Sequence, residues 1–134
     1  MNRLEDAVQV LRRETGWTPR HDAASGRFSF ALETQDFWLE APDDRHLHVS
    51  CVLEKPSAAI DLNARARELA TLAAGAMRRR EAVLSFAEGA FHLHVDADLK
   101  LMEEADILAL CQDFLNDCDW WRVACAGGAV AFVR

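Results

Sequence analysis

Three consecutive short runs alternate apolar and polar residues with a period of two, and this leaves little choice of fold. In "RFSFALE" at 27–33, Phe28, Phe30 and Leu32 alternate with polar or small residues. In "DFWLEA" at 36–41, Phe37 and Leu39 point one way while Trp38 and Glu40 point the other. In "HLHVSCVLE" at 46–54, Leu47, Val49, Cys51 and Leu53 oppose His46, His48 and Ser50. A strand sends successive side chains to opposite faces, so each run reads as a strand with one covered face. The links "TQ" and "PDDR" are short, which predicts an antiparallel meander.

The covered face needs something laid on it, and the flanking segments have helical spacing. In 3–15, Leu4, Ala7, Val8, Leu11 and Thr15 form a narrow stripe, with Asn2 as cap and Gly16 as stop. The loop "WTPRHDAASG" follows at 17–26. Pro56 closes the meander, and 58–80 predicts the longest helix. Leu62, Ala66, Leu69, Ala73 and Met77 define its stripe, and Ala70, Leu72 and Ala76 widen it to roughly 160°, against the ~100° one core face needs. "AAGA" at 73–76 is small enough to admit another backbone, so this helix is either deeply buried in its own core or packed on a second partner such as another subunit.

"AVLSFAEGAFHLHVDADL" at 82–99 predicts two strands joined at "AEG". The span 103–125 predicts a helix whose face carries Ile107, Leu108, Leu110, Cys111, Phe114, Leu115, Cys118, Trp121 and Cys125, with Trp120 opposite and Gly127-Gly128 at the end. "AVAFVR" then reads as a short strand or a tail. The order is α-β-β-β-α-β-β-α in one domain over 1–134: an α+β antiparallel sheet with helices packed on it.

Composition narrows the function. With 51% hydrophobic residues, disorder is not expected. A formal charge of −7 argues against a nucleic-acid partner held through phosphates. No apolar run approaches the roughly 20 residues of a membrane span. The N-terminal "MNRLEDAVQV" carries Glu5 and Asp6 and lacks the apolar core of a secretory signal, so a soluble, cytoplasmic protein is expected. Of the four cysteines, Cys111, Cys118 and Cys125 are spaced by seven. On a helix, neighbours so spaced sit about 10.5 Å apart, too far for a disulfide or one metal ion. They read as small core residues, like Cys51.

Two His-Leu-His triplets, at 46–48 and 92–94, could supply four zinc ligands. Within a strand, each pair lies on the face opposite its apolar neighbours. His46, His48, His92 and His94 are therefore either polar positions on an open sheet face or a metal site formed where the pairs meet. Asp96 and Asp98 read either as solvated or dipole-favoured acids ahead of a helix or as a short acidic pair of the kind that holds a divalent ion, and the run Arg78–Arg80 as cations at a helix end. Cys51 and His48 fall on opposite faces of one strand, so they cannot form a thiolate pair there. No GxSxG, P-loop, dinucleotide fingerprint or HExxH is present, and nothing argues for an enzyme or a cofactor. Trp17, Trp38 and Trp120 lie off the core stripes; grouped together, they would mark a protein-binding surface.

The chain resembles the class I type III secretion chaperones, the Tir-chaperone family. The element order carries the resemblance, with the small size, the acidic pI, "GRFSFALETQDFWLEA" at 26–41, and "DLKLMEEADILALCQDFLNDCDWWR" at 98–122, similar to the family's closing helix. Departures are the turn "ETQD", which lacks Asp-Gly or Asn-Gly, and the tail "GGAVAFVR". The resemblance implies a homodimer, without nucleotide or membrane, that holds the N-terminal segment of a secreted effector. It implies a dimer interface at Ala70, Ala73, Ala74, Met77, Val83 and Phe86, and effector contacts at Val10, Trp17, Phe30 and Trp38. Two other readings stay open: a dimeric binding or regulatory protein of the same fold outside secretion, and a His-based metal-binding protein.

Overall fold

A computed structural model of the chain describes residues 3–76 and 80–126. The elements run α1 (Leu4–Thr15), β1 (Arg20–His21), β2 (Phe28–Ala31), β3 (Asp36–Glu40), β4 (His46–Glu54), α2 (Leu62–Ala76), β5 (Val83–Ala87), β6 (Ala90–Asp98), a 3-10 turn at Leu99–Leu101, and α3 (Glu104–Cys125). The expected order holds, with two additions, the 3-10 turn and β1. The two-residue β1 lies inside the segment expected to be loop, where it pairs with β2 through Arg20↔Ser29 and His21↔Phe28.

The strands form one antiparallel sheet in the order β1-β2-β3-β4-β6-β5. The meander is continuous from β1 to β4. The β5–β6 hairpin then joins through β6, leaving β5 at the edge. Its turn is two residues long, since Ala87 pairs with Ala90. Glu88 and Gly89 both have positive φ, 53° and 76°, as a type I′ turn requires.

Register aligns the covered face into rows. Phe30 opposes Phe37, Leu39 opposes Val49, Val49 opposes Val95, and Cys51 opposes Leu93. All of these side chains are buried, as are Leu4, Ala7, Val8 and Leu11 of α1. Together with Ile107, Cys111, Phe114, Cys118 and Trp121 of α3, they make one hydrophobic core. Burying apolar area of this kind is the main stabilising term, at about 25 cal/mol per Å².

The helix ends have local causes. Gly16 closes α1 at φ 78°, and its N–H donates to the Arg12 carbonyl. Arg3, not Asn2, occupies the N-cap, and it makes no side-chain cap; Asn2 lies outside the described residues. The second helix is shorter than the expected 58–80. The Asp61 carboxylate accepts from the Ala64 N–H at 3.2 Å, an N-cap contact that sets the start at Leu62. Helix α3 opens with a capping box between Glu103 and Asp106. It runs to Cys125, and Gly127-Gly128 lies outside the described residues.

Two expectations about α3 are corrected. Its buried stripe includes Asp117, and Ala124 rather than Cys125. The Asp117 carboxylate accepts from the backbone N–H groups of Glu81 and Ala82, each at 3.1 Å, and from Arg80 Nη1 at 3.5 Å. An acid is therefore buried because it supplies acceptors to the segment that enters β5. Trp120 is not on an opposite, solvated face. It is half-buried, edge-on to Trp121 at 5.4 Å and beneath the Arg80 guanidinium at 5.6 Å. Arg80 is thus held by α3 and is more than a solvated helix end; Arg78 and Arg79 lie outside the described residues.

Candidate functional site

The least finished part of the molecule is the flank formed by α2 and β5. Helix α2 buries only Leu69, Leu72 and Ala76. Leu62, Ala70 and Ala74 are exposed, and Ala66 and Ala73 are half-buried. The broad apolar surface of this helix is therefore only partly used by its own core. Two contacts fix its position. Leu69 enters the core, and Arg65 makes a bidentate pair with Glu54 at the end of β4, at 2.6 and 2.5 Å. A bulge between Val52 and Glu54 brings Glu54, rather than Leu53, opposite Phe91. The Arg65 guanidinium hydrogen-bonds to the Glu54 carboxylate and holds it below the usual range.

Strand β5 continues this flank. Val83 is 53% exposed and Phe86 is 47% exposed, large values for apolar side chains on a strand. The ring of Phe86 leans edge-on against Phe91 at 4.8 Å. The two sheet edges differ. The β1 edge is two residues long, whereas β5 is five residues long and pairs on one side only, with β6. A long apolar edge invites pairing with another chain. Of the residues expected at a dimer interface, Ala70, Ala73 and Ala74 lie on α2 and Phe86 on the helix-covered side of β5, whereas Val83 opposes His94 on the other face of the sheet, and Met77 lies outside the described residues.

The residues expected to touch an effector do not form one patch. Val10 and Phe30 are buried. Trp17 is half-buried on the helix-covered side, edge-on to Phe30 at 6.2 Å and to Phe37 at 5.9 Å. Its position follows from the end of α1: its N–H donates to Thr15 Oγ1, whose hydroxyl donates to the Leu11 carbonyl. Trp38 lies on the other face of the sheet. The Arg27 guanidinium covers its ring at 4.7 Å and pairs with Glu40 at 3.2 Å, while His92 meets the ring edge-on at 5.9 Å. Trp38 Nε1 is sealed from solvent without a partner. Beside it, an open groove is lined by Ser29, Leu32, Gln35, Asp36, Trp38 and Val52.

The histidines share that open face, but register separates the two pairs. His46 opposes Asp98, His48 opposes Asp96, Ser50 opposes His94, and Val52 opposes His92. Each histidine of β4 therefore meets a carboxylate. His48 Nδ1 contacts the Asp96 carboxylate, and His46 Nδ1 lies 2.5 Å from Asp43. Asp96 and Asp98 are strand residues, not loop acids: Asp98 pairs with Arg45 at 2.9 Å and accepts from the Lys100 N–H of the 3-10 turn. Asp43 also accepts from the backbone N–H groups of His46 and Arg45, which hold its carboxyl well below the usual range. Among the described residues, no group of three or more His, Cys, Asp or Glu is placed to hold a metal ion. Nor is any described helix long and apolar enough to cross a membrane.

A six-stranded antiparallel sheet carrying three helices in this order is the fold of the secretion chaperones. The chain is similar to one in the HopA1–SchA chaperone–effector complex, at 17% identity and a TM-score of 0.65, covering 88% of this chain and 91% of that one. It is also similar to one in the ExsC–ExsE complex, at 16% identity and a TM-score of 0.63, covering 91% and 95%. At this identity the likeness is one of fold. No protein-family model matches the sequence, and no curated protein matches it.

Proposed function

We propose that this protein is a cytoplasmic type III secretion chaperone that binds the N-terminal segment of an effector and keeps it unfolded enough for export. The observation that carries the proposal is the uncovered apolar flank of α2 and β5, on a fold shared along nearly its whole length with a chaperone from a chaperone–effector complex. A domain of this kind completes itself by pairing. The homodimer forms through Ala70, Ala73 and Ala74 of α2, with Met77, and through Val83 and Phe86 of β5. A ridge of alanines suits such an interface, because small side chains bring helix axes to the short end of the 8–10 Å range.

Pairing at β5 leaves the other end of the sheet for the effector. There Trp17 and Trp38 present large rings, with Phe30 and Val10 beneath the covered side. An extended segment adds to the β1 edge through its backbone and sets apolar anchors against the accessible parts of Trp17 and Trp38, while Val10 and Phe30 support them from the core. No nucleotide enters the cycle, because binding the unfolded segment is enough to draw it away from its folded or aggregated states.

The test is to purify the untagged protein at native levels, identify any co-purifying protein, and measure mass by light scattering. The expected result is a dimer carrying one polypeptide whose N-terminal fragment alone rebinds. Ala74→Glu with Phe86→Ser should weaken the dimer at least tenfold, about 1.4 kcal/mol. A monomer that carries no partner overturns the reading.

A further inference from the structure

Inside the core is a pair of thiols that the chaperone reading does not use. Cys51 lies on β4, facing the helices opposite Leu93, and Cys118 lies at the centre of the buried stripe of α3. Both are buried, and their sulfurs are 3.4 Å apart across 67 positions of sequence. A disulfide needs about 2.05 Å between sulfurs, so closure asks for an approach of about 1.4 Å. Cys111 and Cys125 sit one seven-residue step to either side on the same helix, about 10.5 Å away along the axis. All four thiols are free, and among the described residues the contact between Cys51 and Cys118 is the one sulfur–sulfur hydrogen bond.

We propose that Cys51 and Cys118 form a peroxide-sensitive disulfide site that staples α3 to the central strand of the sheet. The thiolate of Cys51 attacks one oxygen of hydrogen peroxide. The O–O bond breaks, and the departing hydroxide takes a proton to become water, leaving a sulfenic acid on Cys51. The Cys118 sulfur then attacks the Cys51 sulfur, the S–O bond breaks, and the second hydroxide leaves as water with the Cys118 proton. Two thiols and one peroxide give one disulfide and two waters: the sulfurs lose two electrons and the peroxide gains them. The contact favours this order. Either sulfur can donate in this contact; with Cys118 as donor, its S–H lowers the Cys51 thiol, while the same bond and burial raise Cys118. Peroxide is small and uncharged, so it reaches a buried pair through local openings that a bulky disulfide reagent does not enter.

The cross-link closes a long loop in the unfolded chain, which constrains that state more than the native one. It leaves the α2–β5 flank and both Trp17 and Trp38 untouched. An oxidised protein should therefore keep its assembly while resisting unfolding.

The experiment uses the full chain, reduced and then treated with dilute hydrogen peroxide. The expected result is an intact mass lower by about 2 Da, two thiols lost to a thiol reagent in denaturant, a proteolytic fragment pair joining Cys51 to Cys118, and a Tm raised by about 10 °C. Cys111→Ser and Cys125→Ser should still cross-link, and Cys118→Ala should not. Should Cys118→Ala fail to fold, the fragment map of the wild-type protein decides alone. Overturning results are an unchanged mass, sulfinic acid on one cysteine without a cross-link, a bridge through Cys111 or Cys125, or a linked product with a lowered Tm.

Discussion

Helices α2 and α3 serve the same core, yet they are finished to different degrees. Helix α3 opens with a capping box, buries seven residues and carries a buried acid that satisfies the backbone of another segment. Helix α2 buries three residues and leaves a ridge of small apolar side chains outside. A helix completed by its own chain is scaffold. A helix left half-covered beside an open strand edge keeps apolar area in water at a cost, and the edge can exchange its hydrogen bonds to water for bonds to another strand. The difference places structural cost on α3 and, in the dimer proposed above, assembly on α2.

The comparison breaks first at Trp121. This ring is almost fully buried at the centre of the α3 stripe. Trp121→Ala should cost about 3–5 kcal/mol in urea unfolding, a large share of a small domain's stability. A trimming of similar chemistry on the flank, Leu62→Ala, should cost well under about 1 kcal/mol in the separated monomer, since Leu62 is exposed. Equal losses at the two positions would erase the contrast between the helices.

Asp117 sharpens it at the next level. Asp117→Ala leaves the N–H groups of Glu81 and Ala82 without their acceptor at the entry to β5. The expected cost is about 1–3 kcal/mol, the range for a buried group stripped of its partner. Amide hydrogen exchange at 81 and 82 should accelerate more than exchange within β4. Uniform acceleration across the sheet would mean that Asp117 supports the whole fold rather than this junction.

Legibility followed the same division. The period-two runs identified β2, β3 and β4, because a sheet with one open face imposes that pattern, and the turn at "AEG" identified the β5–β6 hairpin. Element order gave the α+β architecture. The short β1 escaped, since two exposed residues carry no periodicity. The buried stripe of α3 was readable except at its end, where Ala124 rather than Cys125 is buried, and at Asp117, an acid whose reason is a backbone more than thirty positions away. The contact between Cys51 and Cys118 escaped for the same reason: sequence spacing measures distance along one helix, not across from helix to strand. For the histidines, alternation gave the correct face. Register decided the rest, setting Asp96 and Asp98 against them, and register is not written in either strand alone. The width of the apolar stripe of α2 was visible, but which part of it faces the core depends on how Leu69 and Arg65 seat the helix.

The smallest effect concerns that seating. Glu54 is lowered from its usual 4.5 by hydrogen bonding to Arg65, so its folded-state pKa lies below the unfolded one. A group depressed in this sense contributes stability that is fully present above the unfolded value and is lost as pH falls through the folded value. Wild-type stability should therefore decline below pH 4.5 more steeply than that of Glu54→Gln, which removes the titrating group but keeps the shape. The pair is partly exposed and screened, so the difference should be about 1 kcal/mol or less. Measuring both proteins by urea unfolding between pH 6 and pH 3 checks it. Parallel pH profiles would mean that Leu69 and its neighbours seat α2 alone, and that the Arg65–Glu54 pair sets only the helix's direction along the flank.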